Sequence, residues 1–328
     1  MSAPPAKVLL VRFSSIGDIV LTTPVVRAVK RQWGSEVHYL TKPGYAELLA
    51  HNPHIDRLHC LPERLSTLLP TLRAERYDLI IDLHRNLRTL RLRAALRRPA
   101  VAFDKLNVRK WLLVNFKVDR MPPVHIVERY LAAAARAHPL RDDGAGLDYF
   151  LPPGVATPPL PTPYVAVAIG AAHATKRLPP EQLLAICRQI ELPLALLGGP
   201  AERETGAWLA ARLGKEAHNF CGTADLATSA RLLRDAQRVI THDTGMMHIA
   251  AAFNRPTVSV WGNTVPALGM TPWLPRAAPA PERRFEVGGL DCRPCSKIGF
   301  AECPRGHFRC MREQDTAAIG RALADRIA

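Results

Sequence analysis

The sequence predicts an α/β protein of two Rossmann-like domains whose parallel sheets face a cleft. Three observations carry this. Short apolar, β-branched runs alternate with helix-length stretches through both halves of the chain, the pattern of parallel sheets covered by helices. Residues 152–163, PPGVATPPLPTP, are half proline, so they suit neither a helix nor a central strand and read as a stiff extended linker. The length, 328 residues, is long for one core and comfortable for two.

Taken in order, KVLLVRF is the first strand, followed by the polar turn Ser14-Ser15-Ile16-Gly17-Asp18. A helix is expected through IVLTTPVVRAVKRQW, with Pro24 tolerated only in its opening turns. EVHYLT, DRLHCL and YDLIIDL read as strands, and YAELLAHN and RLSTLLPTLRAER as helices. Beyond the linker the rhythm restarts with the strands YVAVAIG, PLALLGG, RVITHD and PTVSVWG. The helices between them are PEQLLAICRQI, ERETGAWLAARLG (stopped by Gly214), LATSARLLRDA and GMMHIAAAF. This gives an N-terminal domain over 1–155, a linker over 156–163 and a C-terminal domain over 164–312. A last helix, over 313–328, is expected to pack back on the N-terminal domain.

Hydrophobic residues make up 48 % of the chain, enough to bury real cores and to exclude a disordered protein. The apolar run near the N-terminus is too short for a transmembrane helix and lacks a signal-peptide pattern, so a cytoplasmic protein is expected. The formal charge of +15, mostly arginine, suits nucleic acid, an anionic membrane surface or a phosphorylated substrate. A GC-rich genome that writes Arg for Lys would also produce it.

Four stretches carry chemistry. Asp18 follows a glycine where the first strand hands over to a helix. There it either caps the helix or presents a carboxylate that can take a proton from a hydroxyl. In VITHDTGMMHIAAAF a strand ends at His242-Asp243, the chain turns at Thr244-Gly245, and a helix starts with Met246 and His248. The free N–H groups of such a start favour a diphosphate, though capping and a half-buried imidazole explain the same residues. HRNLRTLRLRAALRR places Arg85, Arg88 and Arg91 three apart, so a helix would gather part of its charge on one face, for solvent or for an anionic ligand. CRPCSKIGFAECPRGHFRC offers Cys292, Cys295, Cys303 and Cys310, as ligands of one structural Zn²⁺, secondarily of an iron–sulfur cluster, or as reduced, partly buried thiols.

The stretches VLLVRFSSIGDIVLTTPVVRAVKRQW, YDLIIDLHRNLR, LALLGGPAERE and ITHDTGMMHIAAAFNRPTVSVWGNT together resemble glycosyltransferase family 9, the ADP-heptose:lipopolysaccharide heptosyltransferases. The resemblance implies a GT-B fold, with the acceptor on the N-terminal domain and the nucleotide sugar on the C-terminal one. It also implies inverting transfer that needs no cofactor. Carried over by position, Asp18 is the base, with Ser15 and Gly17 of the same Ser-x-Gly-Asp motif toward the acceptor; Arg85, Arg88 and Arg91 are read toward that acceptor from their charge and their place in its domain. Lys176 falls on the lysine that contacts the donor phosphate. Glu202 falls on the acid that holds the ribose, with Glu204 close enough to compete for the role. Asp243 is the acid near the donor sugar, and Thr244, Gly245, Met246 and His248 face the diphosphate. The implied partners are an ADP-sugar, an anionic glycolipid acceptor and the inner face of the inner membrane, with a monomer as the default and no nucleic acid.

Two other classes compete. A nucleotide-dependent oxidoreductase suits two Rossmann-like halves, but SSIGD offers one glycine where G-x-G-x-x-G is expected. A nucleic-acid-binding protein suits the charge and the cysteines, but no RNP or helix-turn-helix pattern accompanies them.

Overall fold

The computed structural model describes residues 3–214 and 216–324. β1 (Lys7–Val11) is buried beyond its first residue, which is why KVLLV carries no polar alternation. β2 (Glu36–Thr41), β3 (Arg57–Cys60), β4 (Leu79–Asp82) and β5 (Ala100–Ala102) join it in a parallel sheet of order β3-β2-β1-β4-β5. The second sheet contains β6 (Val165–Ala168), β7 (Leu194–Leu197), β8 (Ala217–Asn219), β9 (Arg238–His242), β10 (Thr257–Trp261) and β11 (Glu282–Glu286). It is also parallel, in the order β11-β10-β9-β6-β7-β8. Counted from its own first strand, each sheet follows the order of a dinucleotide-binding Rossmann fold. The fold is therefore the expected pair of Rossmann-like units.

That order fixes where ligands bind. The strand sequence reverses between β1 and β4 in the first sheet and between β6 and β9 in the second, and crevices open beyond the carboxyl ends of such pairs.

The helix expected over 19–33 is divided. α1 (Ile16–Val20) begins after Ser15, and α2 (Thr23–Ala28) takes Pro24 in its first turn, where the missing N–H costs nothing. A wider turn, Val29–Trp33, then ends at Gly34, whose φ of +69° suits glycine. YAELLAHN forms a tighter 3₁₀ run, Pro43–Leu48, instead of an α-helix. α3 (Leu65–Ala74), α4 (Leu87–Leu96), α5 (Asn107–Phe116) and α6 (Ile126–Ala134) complete the first half. In the second half come α7 (Pro180–Cys187), α8 (Arg203–Leu213), α9 (Leu226–Asp235), α10 (Gly245–Ala252), α11 (Arg309–Arg312) and α12 (Thr316–Ala324).

The chain divides into two compact units. One holds the residues up to Lys105 with Val124–Phe150 and Trp273–Ala277; the other holds Leu106–Pro123, Leu151–Pro272 and the chain from Ala278 onward. In the N-terminal unit, buried Arg27 on α2 donates to both Asp143 carboxylate oxygens, at 2.7 and 2.8 Å, and so ties the segment after α6 to the sheet's helices. One expectation is corrected here. Residues 106–123, read as part of the N-terminal domain, group with the C-terminal unit. The last helix, described as far as Ala324, contributes to the core of the C-terminal unit, and residues 325–328 lie outside the described residues. Ile319 and Leu323 of α12 enter the core of the C-terminal unit with Leu183 and Ile186 of α7. Gly320 permits this approach, because a Cβ there would lie 2.4 Å from Gln189 Oε1. No described helix is long and apolar enough to cross a membrane.

Candidate active site

In the N-terminal unit the site starts where β1 ends. Ser15 is the N-cap of α1 and Asp18 its third residue. The Ser15 amide and hydroxyl both donate to Asp18 Oδ2, at 3.2 and 2.9 Å, the first being the reach-back bond of a capping box. The other oxygen, Oδ1, pairs with Arg12 Nη2 at 2.7 Å, and 21 % of the Asp18 side chain stays exposed. Burial pushes this carboxyl up, but Arg12 and the Ser15 donors outweigh it and hold Asp18 below the usual carboxylate range. It is an anion at neutral pH.

Arg12 was not singled out in the sequence. It is fixed by donating through Nε to the Ser14 carbonyl at 2.7 Å and through Nη1 to the Leu83 carbonyl at 2.6 Å and the Tyr130 hydroxyl at 3.2 Å. Beyond β4, buried Asp82 accepts from the amides of His84 and Arg85 at 3.0 and 2.7 Å and shapes the neighbouring turn. His84 lies against Phe13, and burial together with Arg12 lowers it to about 4, so it is a neutral imidazole. Arg85 stands before α4 rather than on it and donates to the Phe103 carbonyl. Arg88 and Arg91 are on α4 and exposed. Gly17 is buried within α1.

In the C-terminal unit Lys176, after β6, reaches Asp243, after β9, at the strand-order reversal. Its Nζ is 2.6 Å from Asp243 Oδ2 and donates to the Asp243 carbonyl at 3.2 Å. Thr264, beyond β10, donates to the same Oδ2 at 2.8 Å. Thr244 is the N-cap of α10 but makes no side-chain cap bond, and Gly245 and Met246 form the first turn. The start of the helix therefore presents backbone N–H groups beside an ammonium, an arrangement that attracts a diphosphate. His248 is buried on that turn. Just behind, His242 Nε2 accepts from the Leu178 amide at 3.0 Å, and burial lowers this ring to about 4.

Beside this turn, Ile169, Arg177, Leu178, Leu183, Glu202 and Phe308 help to line a cavity of about 440 Å³. Glu202 is 8 % exposed. It accepts from the Gly199 amide at 2.9 Å and pairs with Arg177 at 3.1 Å, whereas Glu204 is exposed and does not line the cavity. Gly198 makes room, since a Cβ there would stand 2.7 Å from that of Glu202. A slot with apolar walls that also carries the carboxylates of Glu181 and Glu202 and the guanidinium groups of Arg177 and Arg312 suits a nucleoside.

The structure does not assemble the four cysteines as one tetrahedral centre. Among the described residues, no three of them bring their sulfurs within 4.8 Å of one another; His38, His59 and Glu75 are the group that does so with ring nitrogens and a carboxylate. Cys295 Sγ instead donates to the Cys292 carbonyl at 2.9 Å, and burial pushes the Cys310 thiol up to about 12. Cys292, Cys295 and Cys303 are half-buried and Cys310 is buried, all as free thiols.

The profile of "Glycosyltransferase family 9 (heptosyltransferase)" matches residues 66–280. The chain belongs to glycosyltransferase family 9. Among family members, it is 30 % identical to lipopolysaccharide heptosyltransferase 1 of Pseudomonas aeruginosa, over 89 % of this chain and 86 % of that protein. The glycosyltransferase family 9 structure from Veillonella parvula superposes with a TM-score of 0.75 at 18 % identity, covering 98 % of this chain and 97 % of that one. E. coli heptosyltransferase WaaC with ADP gives 0.65 at 22 %, covering 85 % and 93 %. The iron-containing dodecameric glycosyltransferase TibC of E. coli gives 0.57 at 17 %, covering 98 % and 75 %. These likenesses identify the fold as GT-B. For a family 9 glycosyltransferase the dehydrogenase and nucleic-acid readings fall away.

Proposed function

We propose that this enzyme transfers a heptose from an ADP-activated donor to the inner core of lipopolysaccharide, inverting the anomeric centre, at the cytoplasmic face of the inner membrane. The acceptor hydroxyl oxygen attacks the anomeric carbon, its proton passes to Asp18, and the bond to the diphosphate breaks to release ADP. Lys176 and the N–H groups opening α10 meet the charge that grows on the leaving group, which is where preorganised donors lower a barrier most. Asp243 holds Lys176 in place and faces the donor sugar. Glu202 takes the ribose in the cavity beside it. Ser15, Gly17, Arg85, Arg88 and Arg91 serve the acceptor.

The observation that carries this reading is Lys176 fixed 2.6 Å from Asp243 beside an open helix start. The relatives add weight: WaaC binds ADP, and a close relative is named for heptose transfer to lipopolysaccharide. The test is ADP release from a panel of nucleotide sugars with lipopolysaccharide core fragments as acceptors. ADP-heptose should be turned over and NAD should leave the protein's melting temperature unchanged. Turnover of a UDP-sugar in preference would sink the proposal.

A further inference from the structure

Among the described residues, six exposed large apolar side chains fall in the C-terminal unit, and they occupy only two short stretches. Val108, Trp111, Phe116 and Val118 lie on or just after α5, with Trp111 55 % and Phe116 59 % exposed. Ile298 and Phe300 lie in the cysteine-rich segment. The two stretches are joined, because Lys117 Nζ donates to the Pro294 carbonyl at 2.8 Å. Trp111 and Phe116 also touch each other, ring centroids 5.0 Å apart. Of α5 only Leu113 is buried, so the helix turns most of its apolar surface to water. Concentrated apolar exposure of this kind marks a surface that another phase or molecule covers.

The charges say which. Arg109, Lys117, Arg120 and Lys297 stand in the same two stretches and are all exposed. Bulky aromatic residues with Lys and Arg beside them are the composition of helices that lie in the headgroup layer of an anionic bilayer. A second copy of the chain is a poorer occupant, since pairing this surface with itself would set like charges against each other.

We propose that α5 and the Ile298–Phe300 loop dock on an anionic lipid bilayer, with Trp111 and Phe116 entering the headgroup layer and the four cations meeting lipid phosphates. This deepens the reading of a lipid-borne acceptor and rests on it: the enzyme would work on acceptors held in the surface to which it is anchored.

The test is sedimentation of the full-length enzyme with vesicles of phosphatidylglycerol or of phosphatidylcholine. Binding should favour phosphatidylglycerol and weaken as salt is added. Trp111→Ser with Phe116→Ser, or Arg109→Glu with Arg120→Glu, should each lower vesicle partitioning about tenfold or more. Because these side chains are exposed, thermal unfolding should be unchanged. Turnover of a soluble, delipidated core fragment should survive in the variants while turnover of the same acceptor embedded in vesicles falls. Equal binding to both vesicle types, unaltered partitioning of the variants, or variants that change the oligomeric state in sedimentation velocity would overturn the proposal. Failure to turn over the soluble fragment in the unaltered enzyme would instead count against the transferase reading, and leaves the vesicle result to be judged by itself.

Discussion

Arg12 Nη2 stands 2.7 Å from Asp18 Oδ1, and this pair sets the working range of the proposed base. Because Asp18 is held below its ordinary value, the acid limb of kcat/KM should lie below the usual carboxylate pKa of about 3.9. Arg12→Met removes the opposing charge and leaves burial opposed by the Ser15 donors alone. The limb should then move upward by about one pH unit or more, and Arg12→Lys should restore it in part. A profile unmoved by Arg12→Met would mean that Asp18 does not titrate in the reaction.

Asp18→Asn keeps an oxygen for the Ser15 donors but cannot take a proton. Turnover should fall by about 10²–10⁴, while calorimetry finds ADP affinity within a factor of two. Unchanged turnover would assign Asp18 to capping alone.

Lys176→Ala should weaken the donor complex or its transition state by about 1.5–3 kcal/mol, the range for a hydrogen bond to a charged group. Thr264→Val removes a second donor to Asp243 and should cost less, about 1 kcal/mol. Since both side chains meet one oxygen, the double variant should be non-additive. Additive losses in ADP-sugar affinity would show that Asp243 does not couple them.

Gly198→Ala crowds Glu202 without touching the diphosphate turn. Nucleotide affinity should drop roughly tenfold while kcat at saturating donor stays close to that of the parent. A fall in kcat alone would move Glu202 out of the nucleoside pocket.

His242 is neutral in the fold, with a pKa of about 4, against an unfolded value of about 6.5. Between those values the unfolded chain binds the extra proton, so stability rises with pH there and is lost as pH falls from about 6.5 toward 4. Chemical denaturation across this window should have a slope that His242→Gln reduces. An unchanged slope would place the acid sensitivity in other groups.

The donor turn was legible because its signal is local: a strand, Asp-Thr-Gly and a helix start lie within a few residues. The Asp18 turn was legible for the same reason. Arg12 was hidden because what fixes it is distant in sequence, Leu83 and Tyr130 standing 71 and 118 positions away. Thr264 escaped for that reason too. α5 escaped because its apolar residues face outward, which defeats a search for a buried stripe. The stripe of α12 does follow helical spacing, yet spacing does not name the surface it covers, and α7 was the one chosen.

The allotment of segments between the two units also bears on engineering. The polypeptide passes from one unit to the other after Lys105, Pro123, Phe150, Pro272 and Ala277. A gene fragment stopping at residue 150 would carry away α5 without its neighbours and leave behind the short stretch that Asp142 grips through Arg276. Chimeras that mate one enzyme's acceptor half with another's donor half therefore require five splices, and a single crossover in the proline tract should yield insoluble protein.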